Sequence, residues 1–158
     1  MINSIRVTEL MVRKYYPSFK FTIFSDTPVT PLSKPLNECK LALVTTGGLH
    51  LKIDPPFDFS IKEGDSSYRM IPADMNHRDI LVSHKWYDHK FITADINCVF
   101  PIDRMREYVS ENRIGSLSEE HYSFMGHIYD TDKLMVNAKK LGRHLTDLGV
   151  DIAFLTPT

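Results

Sequence analysis

The C-terminal end of the sequence constrains the fold more than any other part. The spacing predicts a helix over about residues 132–148, because Leu134, Ala138, Leu141, Leu145 and Leu148 recur at steps of four and three and so line one side. Asp130 or Thr131 is placed to cap its first turn. Gly149 is placed to end it, since helices commonly close on a residue in the left-handed region, where glycine meets no Cβ penalty. Val150-Asp-Ile-Ala-Phe-Leu155 then reads as a buried strand. Helix, glycine and apolar strand in this order are half of a right-handed crossover unit, which sets strands parallel and lays helices over the sheet.

Other segments fit that plan. Lys40-Leu-Ala-Leu-Val-Thr-Thr46, closed by Gly47-Gly48, is a short continuous apolar run of the kind buried on both faces of a parallel sheet. Asp79-Ile-Leu-Val-Ser83 reads as another strand, and Pro55-Pro56, Gly64-Asp65 and Pro72 mark loops between them. Pro101 suits a first-turn position and Asp103 the positive end of a helix running to about Asn112. Gly115 breaks it, and Ser116-Leu-Ser-Glu119 fits a capping box at the start of another helix. The expected fold is α/β, a Rossmann-like three-layer domain with a mostly parallel sheet over residues 38–158. No helix follows the last strand to cover it, so that sheet is expected to be incomplete at the C-terminus. Residues 1–37 form a separate arm: a short amphipathic helix from Ile5 to Tyr16, an aromatic stretch (Tyr15, Tyr16, Phe19, Phe21, Phe24), then prolines at 28, 31 and 35 that favour an extended path over the chain's own core.

Charge excludes some partners. Nineteen Lys and Arg against twenty Asp and Glu leave a net charge of -1, with no basic footprint for nucleic acid or an anionic membrane. Two cysteines, Cys39 and Cys98, make no disulfide framework or zinc-knuckle spacing and fit a reducing cytoplasm. The start lacks the pattern of a signal peptide, and no apolar run approaches the roughly 18 residues of a membrane span. The expectation is a soluble cytoplasmic protein.

In open α/β sheets ligands bind outside the carboxyl ends of the strands, here Thr45-Thr46-Gly47-Gly48 and Thr156-Pro157-Thr158. Gly47-Gly48 matches neither dinucleotide nor P-loop spacing, so a tight turn is favoured over a phosphate cradle. His84, Asp88, His89 and Asp95 cluster after a strand, but the step of five between the histidines shares no helix face, and hydrogen-bonded or exposed histidines are favoured over metal ligands. Ser123 lacks a nucleophile elbow, and His121 reads as a satisfied core or cap residue. Asp95 and Asn97 alternate with Ile96 as on a strand with one polar face. Arg104 either binds a carboxylate bidentately or pairs with Asp103 or Asp95. Cys98, among apolar residues, reads as a buried inert thiol. Spacing alone leaves a polar site at the strand ends of an α/β domain. A non-catalytic binding or scaffold subunit remains open, as does a metal-dependent hydrolase using His84, Asp88, Asp95 and His121.

Several stretches together resemble the selenoprotein B family of glycine, sarcosine, betaine and D-proline reductases. They are Thr30-Pro-Leu-Ser-Lys-Pro-Leu36, Leu43-Val-Thr-Thr-Gly-Gly-Leu-His-Leu51, Pro56-Phe57 with Gly64-Asp65-Ser-Ser-Tyr-Arg69, Ile71-Pro72, Val82-Ser-His84 and Tyr87-Asp88. Further on come Asp95-Ile-Asn-Cys-Val-Phe-Pro-Ile-Asp-Arg104, Ile114-Gly-Ser-Leu117, His121-Tyr-Ser-Phe-Met-Gly126 and Leu155-Thr-Pro-Thr158. Val99–Arg104 and His121–Gly126, in that order, are the most specific, and the size is closest to the D-proline reductase-type subunit. The resemblance implies reductive cleavage of a carbon–nitrogen bond in D-proline, glycine, betaine or a related amine. It implies that a selenocysteine, or a cysteine in its place, follows Thr158, and that a chain stopping there has ended at a UGA codon and is inactive by itself. No catalytic residue is then expected within residues 1–158. A selenolate would attack Cα, and a neighbouring thiol would close a selenenylsulfide that external electrons reduce. The implied partners are a subunit bearing a pyruvoyl group, which binds the substrate amine, and a thioredoxin-like or other electron donor, in a homo- or hetero-oligomer. The implied pocket comprises Thr156, Thr158, Gly47, Gly48, His84, Asp95, Asn97 and Arg104, with no cofactor or metal held by this chain.

Overall fold

In a computed structural model of the chain, residues 10–14, 25–26, 29–85 and 87–158 are described. The chain divides into two units, Met1–Pro31 and Leu32–Thr158. In the first, residues 10–14 are helical. The rest of the expected Ile5–Tyr16 helix, the aromatic stretch and Pro28 lie outside the described residues. In the second unit, Pro35 has the extended φ of -59° and ψ of 150° that its ring favours, and a 3-10 turn, Leu36–Glu38, leads into the sheet.

Strand β1 (Lys40–Thr45) lies at the centre, because both of its faces are apolar. Leu41 and Leu43 enter one cluster and Ala42 and Val44 the other, as the two-residue period of a strand requires. Along one edge, β1 pairs parallel first with β5 (Ser116–Leu117) and then with β6 (Glu120–Phe124). Along its other edge it pairs parallel with β7 (Ile152–Thr156), in register from Leu41 opposite Ile152 to Thr45 opposite Thr156. Strand β3 (Tyr68–Pro72) adds antiparallel to β6. The expected 79–83 strand is present as β4 (Ile80–Val82), but it pairs antiparallel with β2 (Leu49–Leu51) in a separate two-stranded sheet.

Helices cover both faces of the main sheet, which gives the expected three layers. Ile92 of α1 (Lys90–Ala94) and Ile102 and Met105 of α2 (Ile102–Ser110) pack with Leu41, Leu43, Ile71 and Phe100. On the other face, Leu141 and Leu145 of α3 (Thr131–Asp147) pack on Ala42, Val44, Tyr122 and Phe124. Asp130 caps α3 by accepting the Lys133 N–H at 3.0 Å, and Gly149 leaves it at φ +68°. The expected stripe on α3 is narrower than its spacing implied: Ala138 is exposed.

Four expectations fail locally. Ser116–Glu119 starts no helix, because the edge of β1 offers unpaired carbonyls: the Ser116 and Ser118 N–H groups donate to the carbonyls of Cys39 and Leu41 at 3.1 and 2.8 Å. Asp95–Cys98 is a 3-10 turn rather than a strand, because the Asp95 carboxylate accepts the Asn97 N–H and closes the chain on itself. Cys98 on that turn is exposed, and the buried thiol is Cys39, which donates to the Pro35 carbonyl at 3.3 Å. Among the described residues strand β7 pairs with β1 alone, and its Phe154 and Leu155 are 40% and 67% exposed rather than buried.

Candidate functional site

The carboxyl ends of β1 and β7 are joined by threonines beyond the strand ladder. Thr45 Oγ1 donates to the Val99 carbonyl at 2.9 Å and accepts the Gly47 N–H at 3.0 Å. Thr156 Oγ1 donates to the same Val99 carbonyl at 2.7 Å. The Thr46 N–H donates to the Thr156 carbonyl, and the Thr158 N–H and hydroxyl donate to Thr46 Oγ1 and the Thr46 carbonyl at 2.9 and 3.0 Å. The chain leaving β7 is therefore held on Thr46 by both backbone and side chain.

Glycines let three loops meet at this point. Gly48, at φ +68°, donates its N–H to the Phe124 carbonyl, while its own carbonyl accepts the Ser83 N–H at 2.7 Å. Gly126 follows β6 at φ +84°; a Cβ there would stand 2.5 Å from the Thr46 carbonyl oxygen and 3.1 Å from His84 Nε2. Only a residue without a side chain lets the backbone after β6 pass between Thr46 and His84.

His84 is 8% exposed. Burial lowers its pKa, and the nearby His127 and His89 lower it further, so the ring is neutral at neutral pH. Its ring centroid lies 4.6 Å from that of Tyr87, which lies 5.0 Å from that of His89. The Tyr87 hydroxyl donates to the Gly47 carbonyl at 2.7 Å, and burial pushes its pKa up to about 12, so it keeps its proton. The strand ends thus present a neutral imidazole, a protonated phenol and a fixed exit for the chain.

Of the residues singled out from sequence, Gly47, Gly48, His84, Thr156 and Thr158 meet here. Asp95, Asn97 and Arg104 are engaged elsewhere. Asn97 Nδ2 donates to Asp95 Oδ1 at 2.8 Å and to Asp103 Oδ2 at 2.9 Å, and Asn97 Oδ1 accepts the Asp103 N–H, which pins the 3-10 turn to the start of α2. Asp95, Asn97 and Asp103 line a cleft of about 490 Å³ with His77, Arg78 and His89. Arg104 pairs with Glu107, one turn on, at 2.7 Å, both side chains being exposed, and its charge, after the Asn97 hydrogen bonds, also helps hold the Asp95 carboxyl below the usual carboxylate range.

The four side chains of the hydrolase reading do not assemble. Asp88 accepts the Lys90 N–H ahead of α1, Asp95 serves its own turn, and His121 Nδ1 accepts the Leu43 N–H inside the sheet. Among the described residues, no group of three or more His, Cys, Asp or Glu side chains could hold a metal ion. Ser123 Oγ accepts the Leu49 N–H at 2.7 Å and is a strut of the fold. Sequence reasoning missed the parts of the site played by Tyr87, Gly126 and His127. The glycine after His121-Tyr-Ser-Phe-Met was the one signal, since a glycine directly after a buried strand marks a close backbone approach.

Among the described residues, no helix is long and apolar enough to cross a membrane. A family model described as glycine/sarcosine/betaine reductase selenoprotein B matches residues 3–158. The chain is 38% identical over 152 residues to the D-proline reductase subunit gamma of Acetoanaerobium sticklandii, covering 95% of this chain and 62% of that one. It is 30% identical to the glycine reductase complex component B subunit gamma of Symbiobacterium thermophilum, over 99% of this chain and 38% of that one. It is also 30% identical to the sarcosine reductase complex component B subunit beta of Peptoclostridium acidaminophilum, over 96% of this chain and 35% of that one. The chain therefore spans 62% of the length of the first of these relatives and little more than a third of the other two. No solved structure matches it significantly.

Proposed function

The chain belongs to the glycine/sarcosine/betaine reductase selenoprotein B family, and we propose that it forms the body of the selenocysteine-type subunit of an amino-acid reductase. The reaction is reductive cleavage of a Cα–N bond in D-proline, glycine, betaine or a related amine: two electrons and two protons convert one C–N bond into C–H and N–H. D-Proline is the substrate favoured here, because the relative matched at 38% identity is a D-proline reductase subunit. The redox residue, a selenocysteine or cysteine, is supplied by the chain that follows Thr158.

One observation carries this reading. The parallel pairing of β7 with β1 brings Thr158 onto Thr46, at the end of the sheet where α/β proteins bind their ligands, beside His84 and Tyr87. A nucleophile on the chain leaving that exit starts from a fixed position, and fixed position is a large part of what a displacement at carbon needs. The substrate amine is held by a pyruvoyl group on a partner subunit, which supplies the electrophilic carbonyl that activates the C–N bond. A thioredoxin-like dithiol, or another donor, returns the electrons.

The test is turnover by the complex made from the complete reading frame and its partner subunit, with a dithiol as reductant. The expected result is conversion of D-proline to the ring-opened amino acid, abolished by replacing the selenocysteine or cysteine after Thr158 with serine. Turnover that survives the replacement, or no turnover of D-proline, glycine, sarcosine or betaine, overturns the reading.

A further inference from the structure

The cleft that holds Asp95, Asn97 and Asp103 runs along a strand edge. Ile80, Leu81 and Val82, the three consecutive residues of β4, all line it, whereas the face of a strand presents only every second residue. Its opposite wall is α1 and the turn after it, with Ile92 and Ile96 buried at the base. The register fixes which backbone groups look into the cleft. The Ser83 N–H donates to the Gly48 carbonyl and the Lys52 N–H to the Asp79 carbonyl, so Leu81 faces His50 across the ladder, and Ile80 and Val82 turn their groups away from β2. The Ile80 N–H is taken by the His77 carbonyl. The Ile80 carbonyl and both backbone groups of Val82 have no partner among the described residues, where β4 pairs with β2 alone.

We infer that this cleft is a docking site for an extended segment of another polypeptide that bears an acidic side chain and adds to β4 as a third strand. The free edge offers an acceptor, a donor and an acceptor in order, which an incoming strand meets with N–H, C=O and N–H; main-chain bonds then give affinity and the flanking side chains give specificity. Charge selects the occupant. The carboxylates of the cleft are already engaged, Asp95 by Asn97 and Asp103 by Asn97 and Arg106. Arg78 on the same cleft is bonded only through its backbone N–H, to Asn76 Oδ1, so its guanidinium has no partner among the described residues. A carboxylate on the incoming segment fits it as a bidentate pair. Apolar side chains at alternate positions of that segment face the Ile92 and Ile96 wall. That wall also carries His89, whose Nε2 is buried with no hydrogen-bond partner among the described residues, so the cleft is short of polar partners on both sides. Docking here is separate from the redox chemistry proposed above and uses no residue of the strand-end site.

The experiment titrates the chain made from its complete reading frame into a fluorescein-labelled pentapeptide, Ser-Val-Glu-Val-Ser amide, and follows fluorescence polarisation. The expected result is saturable binding that weakens about tenfold or more when both valine nitrogens of the peptide are methylated, which removes its strand donors. Lysine in place of the peptide's glutamate, or Arg78→Glu in the chain, is expected to weaken binding by a similar factor, and the two changes combined to recover most of it. Val82→Pro removes an N–H that the ladder with β2 does not use, and is expected to abolish binding with circular dichroism unchanged. If that variant does not fold, the methylated peptide and the charge exchange decide the matter without it. Binding indifferent to methylation or to both charge changes overturns the inference, as does no binding at millimolar peptide. A chain that takes up no peptide but self-associates until Val82→Pro releases it overturns the inference in favour of a second copy on this edge.

Discussion

Near the start of β6, His121 is fully buried and its Nδ1 accepts the Leu43 N–H at 3.0 Å; at the carboxyl end of β1, His84 is nearly as buried and its Nε2 faces the crossing of Gly126 with Thr46. Both imidazoles are held neutral, His121 by burial and by the Arg106 charge, which together bring its pKa down to about 4, and His84 by burial and by two other histidines. The physics of the shift is shared, and the uses differ. Lys40 lies opposite Ser116 whereas Val44 lies opposite Tyr122, so the ladder gains two residues on the β5–β6 side and the Leu43 N–H meets an imidazole instead of a carbonyl. His121 is thus a plug in a break of register. His84 sits instead where three loops and the chain leaving β7 converge. A depressed histidine pKa is no mark of function until the ring's partners are known.

That contrast can be broken by mutation. The largest effect is expected for His121→Leu, which leaves the Leu43 N–H buried without an acceptor and should cost about 3 kcal/mol in urea unfolding. His121→Gln, which keeps an acceptor, should cost less and should also flatten the acid limb. The sign follows from linkage: unfolded histidine takes a proton near pH 6.5 and folded His121 only near 4, so the unfolded state binds more protons between those values. Wild-type stability is therefore complete above pH 6.5 and falls by about 3 kcal/mol as the pH drops through 4, and His121→Gln should remove most of that loss. Gly126→Ala comes next, about 2 kcal/mol by thermal unfolding, because a Cβ meets the Thr46 carbonyl at a positive φ. Thr45→Val should cost about 1–2 kcal/mol, since the Val99 carbonyl loses one of its two hydroxyl donors and the Gly47 N–H loses its acceptor. The smallest effect is at exposed His144, paired with Glu120 at 2.8 Å: His144→Ala should change stability by less than about 1 kcal/mol and vanish into the noise at high salt.

Much of the framework was legible before any coordinates. The continuous apolar run of β1, the helical spacing in α3, the Asp130 cap and Gly149 are local signals, and each stands where its chemistry puts it. What stayed hidden depends on contacts distant in sequence. Ser116–Glu119 has the residues of a capping box, but an open edge of β1 seventy-odd residues earlier in the chain claims its N–H groups. Cys98 has apolar neighbours in sequence, yet the Asp95 turn puts its thiol outside. The site divides in the same way. Glycines and threonines at strand ends are placed by the general rule for α/β sheets, so Gly47, Gly48, Thr156 and Thr158 could be singled out. Tyr87 enters through a hydrogen bond across forty residues, which no spacing announces. Asp95 and Asn97 looked functional because they are polar and close together, and that closeness is what lets them satisfy one another.

The claim at the centre of this account is that the redox residue stands on the chain leaving β7. A single turnover tests it most directly: the reduced full-length complex is given substrate without an electron donor, and the peptide carrying the new selenenylsulfide or disulfide is identified by mass spectrometry. The account predicts the link in the peptide that follows Thr158. A link through Cys39 or Cys98 with no involvement of that peptide, or product formed with no link at all, would contradict it.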